Sequence, residues 1–166
     1  IAHHDSLTGL PNRVLLADRL TLALAQARRK GSRLGLLFLD LDGFKPINDT
    51  LGHDAGDEAL RQVAQRLGGI VRQADTLARI GGDEFVLLIC DLDEGAEGAA
   101  CTVAVKCINA LMSPFPVHGE SCVLGVSIGV VLSHGDDTPE ALLLAADRAM
   151  YQAKDAGRGC YVLANS

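Results

Sequence analysis

Acidic, basic and glycine residues form three groups along the chain, and each group borders an apolar run of the kind that becomes a buried element. The groups occupy residues 40–57, 81–85 and 154–158. A packing role explains charged side chains at such positions poorly, because burying them without a partner is costly. We therefore expect these three groups to carry the chemistry of the protein.

The first two groups supply oxygen ligands suited to a divalent cation. Asp40 closes an apolar run that would bury its base, and a strand ending in Asp-x-Asp projects the side chains of Asp40 and Asp42 the same way. Asp83 and Glu84 follow two glycines that let a ligand approach the backbone closely. Oxygen ligands without a His or Cys cluster favour Mg²⁺ or Mn²⁺ over Zn²⁺.

Simpler structural roles stay open for several of these residues. Asp42, Asp49 and Asp54 are as consistent with capping a strand-to-helix connection as with chemistry. Lys154 and Arg158 could merely complement the dipole at the end of a helix. A Gly-Gly pair by itself often makes only a turn.

The net charge of −6 limits the partners of the chain. An acidic surface argues against sequence-independent nucleic-acid binding, which needs basic side chains to displace counterions from phosphates. A phosphate ligand meets the same difficulty, because two like charges about 4 Å apart cost roughly 4 kcal/mol at an effective dielectric of about 20. Divalent cations between carboxylates and phosphates would turn this repulsion into bridging.

Hydrophobic periodicity places the three groups at the ends of helices and strands. It predicts a helix over 16–27, a second from an Asp54 cap to near Arg72, a third over 100–111 and a fourth from Thr138 to Gly157. The predicted strands are 34–39, 76–79, 85–90, a long strand 121–132 that follows a turn at 118–120, and 159–163. Because hairpins mix with helices, we expect an α+β class with a central mixed, mainly antiparallel sheet and helices packed on it.

Length and composition predict one domain of a cytoplasmic protein. The 166 residues contain no apolar run near the roughly 18 to 20 residues that cross a bilayer, and the chain shows no signal-peptide pattern. The five cysteines are odd in number and form no CxxC pair, which favours reduced thiols in a soluble, cytosolic setting. We expect no membrane contact by this domain.

Several separated motifs resemble the GGDEF-domain diguanylate cyclases. They are DSLTGLPNR at 5–13, FLDLDGFKPINDTLGHDAGD at 38–57, GGDEF at 81–85 and YQAK at 151–154, in the order that the family has them. The resemblance covers essentially residues 1–166 as a single GGDEF domain and implies a five-stranded, nucleotide-cyclase or palm-like sheet. It also implies that the domain is excised from a larger sensor protein and condenses two GTP into cyclic di-GMP and two pyrophosphates.

The resemblance also assigns roles to matched positions. It implies metal ligation by Asp40, the Leu41 carbonyl and Asp83, and catalysis by Asp83, Glu84 and Lys45. The implied substrate contacts are Phe44, Lys45, Asn48, Asp57, Gly81, Gly82, Lys154 and Arg158. Asp57 makes physical sense as a guanine reader, because a carboxylate accepts from the N1 and exocyclic amino groups that adenine lacks.

Arg72 and Asp75 match in type and offset the RxxD inhibitory site at which this family binds its own product. An Arg and an Asp three residues apart are commonly only a weak surface pair. Their position before the strand that leads into Gly81 favours the functional interpretation. The resemblance then implies product feedback by cyclic di-GMP.

The implied mechanism needs two domains, because each would hold one GTP and two Mg²⁺ ions, with Mn²⁺ as a substitute. The 3′-hydroxyl of one GTP would attack the α-phosphorus of the other, so a homodimer and an upstream sensor domain are the expected partners. The alternative is a noncatalytic module that binds GTP or cyclic di-GMP and regulates an attached domain. A different nucleotide cyclase or a polymerase-like palm domain is a further alternative.

Overall fold

The computed structural model describes residues 2–164, in which five helices and seven strands intermingle. The helices are α1 (Arg13–Lys30), α2 (Phe44–Leu51), α3 (His53–Gly68), α4 (Ala96–Met112) and α5 (Pro139–Asp155). The strands are β1 (Arg33–Asp42), β2 (Thr76–Gly81), β3 (Glu84–Leu92), β4 (Phe115–Val117), β5 (Glu120–Cys122), β6 (Gly125–Leu132) and β7 (Tyr161–Leu163).

Five strands form the central sheet in the order β2-β3-β1-β6-β7, and β4 pairs with β5 in a small separate hairpin. The central pairs are antiparallel except β6 with β7, which is parallel. The sheet is therefore mixed and mainly antiparallel, which confirms the predicted α+β class and the five-stranded architecture.

Helices cover both faces of the sheet, so the central strand β1 is apolar on both sides. Leu37, Leu39 and Leu41 belong to a core that also contains residues of α3 and α4. Leu36 and Phe38 belong to a second core with residues of α1 and α5. Because side chains alternate along a strand, Asp40 and Asp42 continue the second set and lie on the α1 and α5 face.

Two predicted helix boundaries were wrong at the second helix. Asp54 is not its cap, because α3 begins after Gly52 and Asp54 lies in the first turn. The helix ends at Gly68 and not near Arg72, since two successive glycines weaken it there. Ile70 still packs against the core, which extended the apolar pattern past the true end.

The strand predicted over 121–132 is two strands. β5 pairs with β4, whereas β6 pairs with β1 and β7 in the central sheet. Val123 lies between them and is 71% exposed, although an uninterrupted buried strand would hide it. Sequence patterning also missed the short helix α2, and the predicted apolar strand 34–39 stops three residues before the end of β1 at Asp42.

Within residues 2–164, every helix is too short or too polar to span a lipid bilayer.

Candidate active site

Strand pairing brings the predicted metal ligands together although they are distant in sequence. Asp40 on β1 is the direct partner of Glu84 on β3, and the Leu41 N–H donates to the Asp83 carbonyl at 3.2 Å. Since Leu41 and Asp83 are joined by a hydrogen bond, Asp40 and Glu84 form the closer, non-hydrogen-bonded type of pair. The Leu41 carbonyl projects from the same edge of β1 as its N–H, toward β3.

A partly buried ion pair supports the glycine turn between β2 and β3. Gly82 has φ 45°, in the left-handed region that glycine adopts without strain. The Arg79 guanidinium donates to the Gly82 carbonyl at 2.9 Å and to Asp5 at 2.8 Å. Burial acts to raise the pKa of Asp5, but hydrogen bonds from Thr8 and Arg79 outweigh it and hold this pKa below its ordinary value. The N-terminal motif therefore supports the turn that carries Asp83.

The carboxylates at this edge are short of positive charge. Burial, then the charges of Asp83 and Asp42, raise the pKa of Asp40 despite a neighbouring lysine. Burial, then the charges of Asp40, Asp147 and Asp83, raise the pKa of Glu84. Within residues 2–164, no three His, Cys, Asp or Glu side chains form a ready metal site. The predicted shell needs only two carboxylates and a main-chain carbonyl, and hard oxygen donors in a field of excess negative charge fit a divalent cation.

Lys154 links the third predicted group to the first. Its ammonium lies 3.2 Å from Asp40 Oδ1 and 3.1 Å from Asp42 Oδ1. Burial acts to lower the pKa of Lys154, but hydrogen bonds to Asp42 and Asp40 outweigh it and raise this pKa. The lysine therefore stays charged beside the predicted metal ligands. Arg158 follows it in an exposed turn after α5.

Asp42 does not cap the helix that follows it. The residue before α2 is Gly43, with φ 85° and no side-chain cap. The carboxylate of Asp42 instead accepts hydrogen bonds from the Ser127 hydroxyl at 2.9 and 3.0 Å and from the Gly159 N–H at 3.0 Å. The capping alternative for Asp42 was therefore wrong.

The predicted guanine readers lie near each other across the junction of α2 and α3. A Cβ placed on Gly56 would overlap the Asn48 side chain, so only glycine allows this approach. Asn48 thus packs beside the residue that precedes Asp57, and both side chains are half-buried. Phe44 is 8% exposed, so its contact with a ligand would come from its main chain. Lys45 is exposed and lies 4.0 Å from Asp49.

Arg72 and Asp75 lie apart from these residues, in the loop between α3 and β2. The Arg72 guanidinium donates to both Asp75 carboxylate oxygens, at 2.9 and 3.0 Å, and to the Cys90 carbonyl at 2.7 Å. The Cys90 N–H donates to Asp75 at 3.0 Å. Since Cys90 and Glu84 are six residues apart on β3, about 20 Å separates this pair from the carboxylate cluster.

Sequence reasoning missed several members of the site. Asp147 on α5 lies close enough to affect Glu84, and Arg13 affects both carboxylates. The seven-residue spacing of Asp147 and Lys154, two helical turns, was a signal that could have placed them on one face of α5. Ser127 gave no such signal, because a single serine in an apolar strand is ordinary.

Comparison with known proteins gives consistent matches. The profile of the family described as "Diguanylate cyclase, GGDEF domain" matches residues 2–160. The chain is 48% identical over 163 residues to the bifunctional diguanylate cyclase/cyclic di-GMP phosphodiesterase MucR of Pseudomonas aeruginosa, covering 97% of this chain and 23% of that protein. It is 46% identical over 166 residues to the diguanylate cyclase TpbB of the same organism, covering 98% and 38%.

Solved structures show the same fold. The GGDEF domain of TpbB (YfiN) from Pseudomonas aeruginosa has a TM-score of 0.93 at 44% identity, covering 98% of this chain and 95% of that one. The GGDEF domain of DgcB from Caulobacter crescentus, in complex with cyclic di-GMP, has a TM-score of 0.91 at 29% identity, covering 100% and 95%. The chain therefore spans 23% to 38% of the curated relatives named above, but 95% of each of these isolated domains.

Proposed function

The chain belongs to the GGDEF-domain family of diguanylate cyclases, and we propose that it condenses two GTP into cyclic di-GMP and two pyrophosphates. The observation that carries this proposal is the meeting of Asp40, Asp83 and Glu84 at one edge of the sheet, with Lys154 beside them. These are the residue types that a metal-dependent phosphoryl transfer needs.

Asp40, the Leu41 carbonyl and Asp83, assisted by Glu84, would hold divalent cations, two per active site. Mg²⁺ is the expected ion and Mn²⁺ a substitute, because the ligands are hard oxygens. When bound, the cations supply charge neutralisation to the phosphates and acidity to the attacking 3′-hydroxyl. The raised pKa values of Asp40 and Glu84 support this assignment, since both carboxylates lack a sufficient cation of their own.

The protein side chains would bind and orient the nucleotide. Asp57 would accept from the guanine edge, and Asn48 would accept from or donate to it. Lys45, Lys154 and Arg158 would hold the phosphates and the charge of the departing pyrophosphate. Glu84 would assist by taking the proton of the attacking hydroxyl. The main chain at Gly81, Gly82 and Phe44 would line the nucleotide.

Two domains would face each other so that each supplies one GTP. A single domain holds only one half of the reacting pair, and the homodimer converts an encounter into a positioned reaction. The relatives named above are longer than this chain, so we also propose that a sensor or signalling domain in the full-length protein controls this pairing. The cytoplasm, where GTP is available, is the proposed location.

Arg72 and Asp75 would form an inhibitory site for the product. Arg presents a planar fork to a guanine edge or a phosphate. Their distance from the carboxylate cluster suits a regulatory site, and one family member is described in complex with cyclic di-GMP.

The test is incubation of the domain with GTP and Mg²⁺ at high domain concentration, with Asp83→Ala as the inactive control. GTP consumption with cyclic di-GMP formation supports the enzyme. Binding of GTP or cyclic di-GMP without turnover supports the noncatalytic regulatory module instead. A linear or intramolecular product would indicate another nucleotide cyclase or a polymerase-like activity.

A further inference from the structure

We propose that Asp42 is a positioning residue that fixes Lys154 and the turn at 157–159, and thereby presents Lys154 and Arg158 to the terminal phosphates of the nucleotide. This inference rests on the proposed function, because it assumes a nucleoside triphosphate in the site. It adds a residue that is neither a metal ligand nor a guanine reader.

Protein donors occupy both carboxylate oxygens of Asp42. Oδ1 accepts from the Ser127 hydroxyl at 3.0 Å and lies 3.1 Å from the Lys154 ammonium. Oδ2 accepts from the same hydroxyl at 2.9 Å and from the Gly159 N–H at 3.0 Å. The side chain is 11% exposed, and a buried carboxylate is stable as an anion only with such partners. Asp42 therefore joins β1, β6, α5 and the turn after α5.

The turn that carries Arg158 needs this support. Gly157, Arg158 and Gly159 have φ values of 119°, 65° and 61°, so three successive residues adopt positive φ. The left-handed conformation is unfavourable for a residue with a Cβ, and surrounding contacts must hold it. Two main-chain N–H groups make such contacts: that of Arg158 donates to the Ala153 carbonyl at 3.0 Å, and that of Gly159 donates to the Asp42 carboxylate.

Asp42 also determines how the Lys154 ammonium divides its hydrogen bonds among neighbouring groups. An ammonium has three donors, and Asp40 and Asp42 take two of them, which leaves the third for a phosphate. Without Asp42, Lys154 would pair with Asp40 alone, the carboxylate that the divalent cation needs. Asp42 thus keeps the lysine beside the phosphate position while leaving Asp40 accessible.

The test compares nucleotides that have and lack terminal phosphates. Calorimetry with Mg²⁺ would measure the affinity of α,β-methylene GTP, which cannot react, and of GMP, for the wild type and for Asp42→Asn. We expect the variant to lose about tenfold or more in affinity for the triphosphate, because one or more charge-assisted phosphate contacts are lost. The affinity for GMP should stay within about twofold, since its contacts are elsewhere. If Asp42 had only a structural role, Asp42→Asn would lower the affinities for both ligands equally, and that result would overturn the inference.

Lys154→Met and Arg158→Ala test the proposed phosphate site itself, separately from the role of Asp42. If neither variant lowers the preference of the domain for the triphosphate over GMP, the proposed phosphate site fails. If both lower it and Asp42→Asn does not, only the role of Asp42 fails. The double variant Asp42→Asn/Arg158→Ala should lose less than the product of the two single effects, because both act on one contact, and independent effects would contradict this.

A second variant decides the question if Asp42→Asn does not fold. Ser127→Ala removes the hydroxyl that contacts both oxygens of Asp42 and leaves every charge in place. We expect a smaller but still selective loss of triphosphate affinity in a domain whose circular dichroism is that of the wild type. Unchanged preference for the triphosphate in Ser127→Ala would overturn the inference.

Discussion

Replacing Asp40 by Asn should abolish turnover and, at the same time, stabilise the metal-free domain. The carboxylate lies beside Glu84 and near Asp83, and its raised pKa shows that the folded protein disfavours its charge. An asparagine of nearly the same shape keeps the packing and removes that charge. Loss of activity with a gain in stability is the pattern expected of a group retained for function.

The size of the effect follows from the charges around Asp40. Burial of the Asp40 carboxylate is the largest cost, and the charges of Asp83 and Asp42 add to it. Glu84 lies directly opposite on the neighbouring strand, and a charge about 5 Å away costs roughly 3 kcal/mol at an effective dielectric of about 20. The attraction to Lys154 at 3.2 Å offsets them by about 5 kcal/mol on the same scale. Because the pKa of Asp40 is nevertheless raised, the costs outweigh this attraction, and we expect a gain of about 1 kcal/mol for Asp40→Asn, or roughly 2 to 4 °C in Tm for a domain of this size. Lys154 keeps its bond to Asp42 in the variant.

Urea unfolding without divalent cations, at several pH values, measures this gain. A carboxyl whose pKa is raised by folding contributes stability that is present below its unfolded pKa and is lost as the pH rises through its folded pKa. The wild type and Asp40→Asn should therefore be equally stable near pH 4, and the variant should be the more stable at pH 8. Asp18→Asn, which removes an exposed carboxylate of α1, is the control and should change stability by less than about 0.5 kcal/mol. A variant less stable than the wild type at pH 8, or a difference independent of pH, would refute the reasoning.

Three further changes test other parts of the molecule. Asp57→Asn should lower the affinity of the domain for α,β-methylene GTP by about tenfold or more. It should lower the affinity for the inosine analogue, which lacks the exocyclic amino group, by less, and equal losses in calorimetry would exclude guanine recognition by Asp57. Arg72→Ala should relieve inhibition by added cyclic di-GMP and leave initial turnover unchanged, so unaltered inhibition curves would remove the RxxD site. Asp5→Asn should destabilise the domain by about 1 to 3 kcal/mol at pH 7 in urea unfolding, because it breaks the ion pair with Arg79. Folding lowers the pKa of Asp5, so its contribution is lost as the pH falls through the folded pKa, and a loss that persists in strong acid would contradict this assignment.

Hydrophobic periodicity located the core elements because burial imposes it directly. The apolar residues of α1 and the run that became β1 are buried as their spacing requires. The errors occurred where apolar residues continue past the end of a helix or strand. Ile70 packs on the core from a loop, and Val123 is apolar but exposed, so neither residue shows in the sequence where its element stops.

The candidate site could be predicted only in part for a different reason. Motifs named the residues of each group, but the register of β1 against β3 decides that Asp40 faces Glu84, and register depends on the whole sheet. Contacts that no motif contains remained hidden, such as the bonds of Ser127 to Asp42. Resemblance could name Lys154 as a phosphate ligand, whereas only the fold places its ammonium between two aspartates.

The two aspartates at the end of β1 show how chemically identical side chains on one face of a strand can have different surroundings. Asp42 has protein donors at both oxygens, so its charge is satisfied and a cation would gain little from it. Asp40 has one bond to the shared lysine and faces other carboxylates, so its charge is unsatisfied in the protein alone. A divalent cation binds most favourably where unpaired carboxylates are already close together, because folding has already offset their mutual repulsion. The strand therefore places the proposed metal ligand and the proposed positioning carboxylate on the same face, and their hydrogen-bond donors, not their residue type, distinguish the two proposed roles.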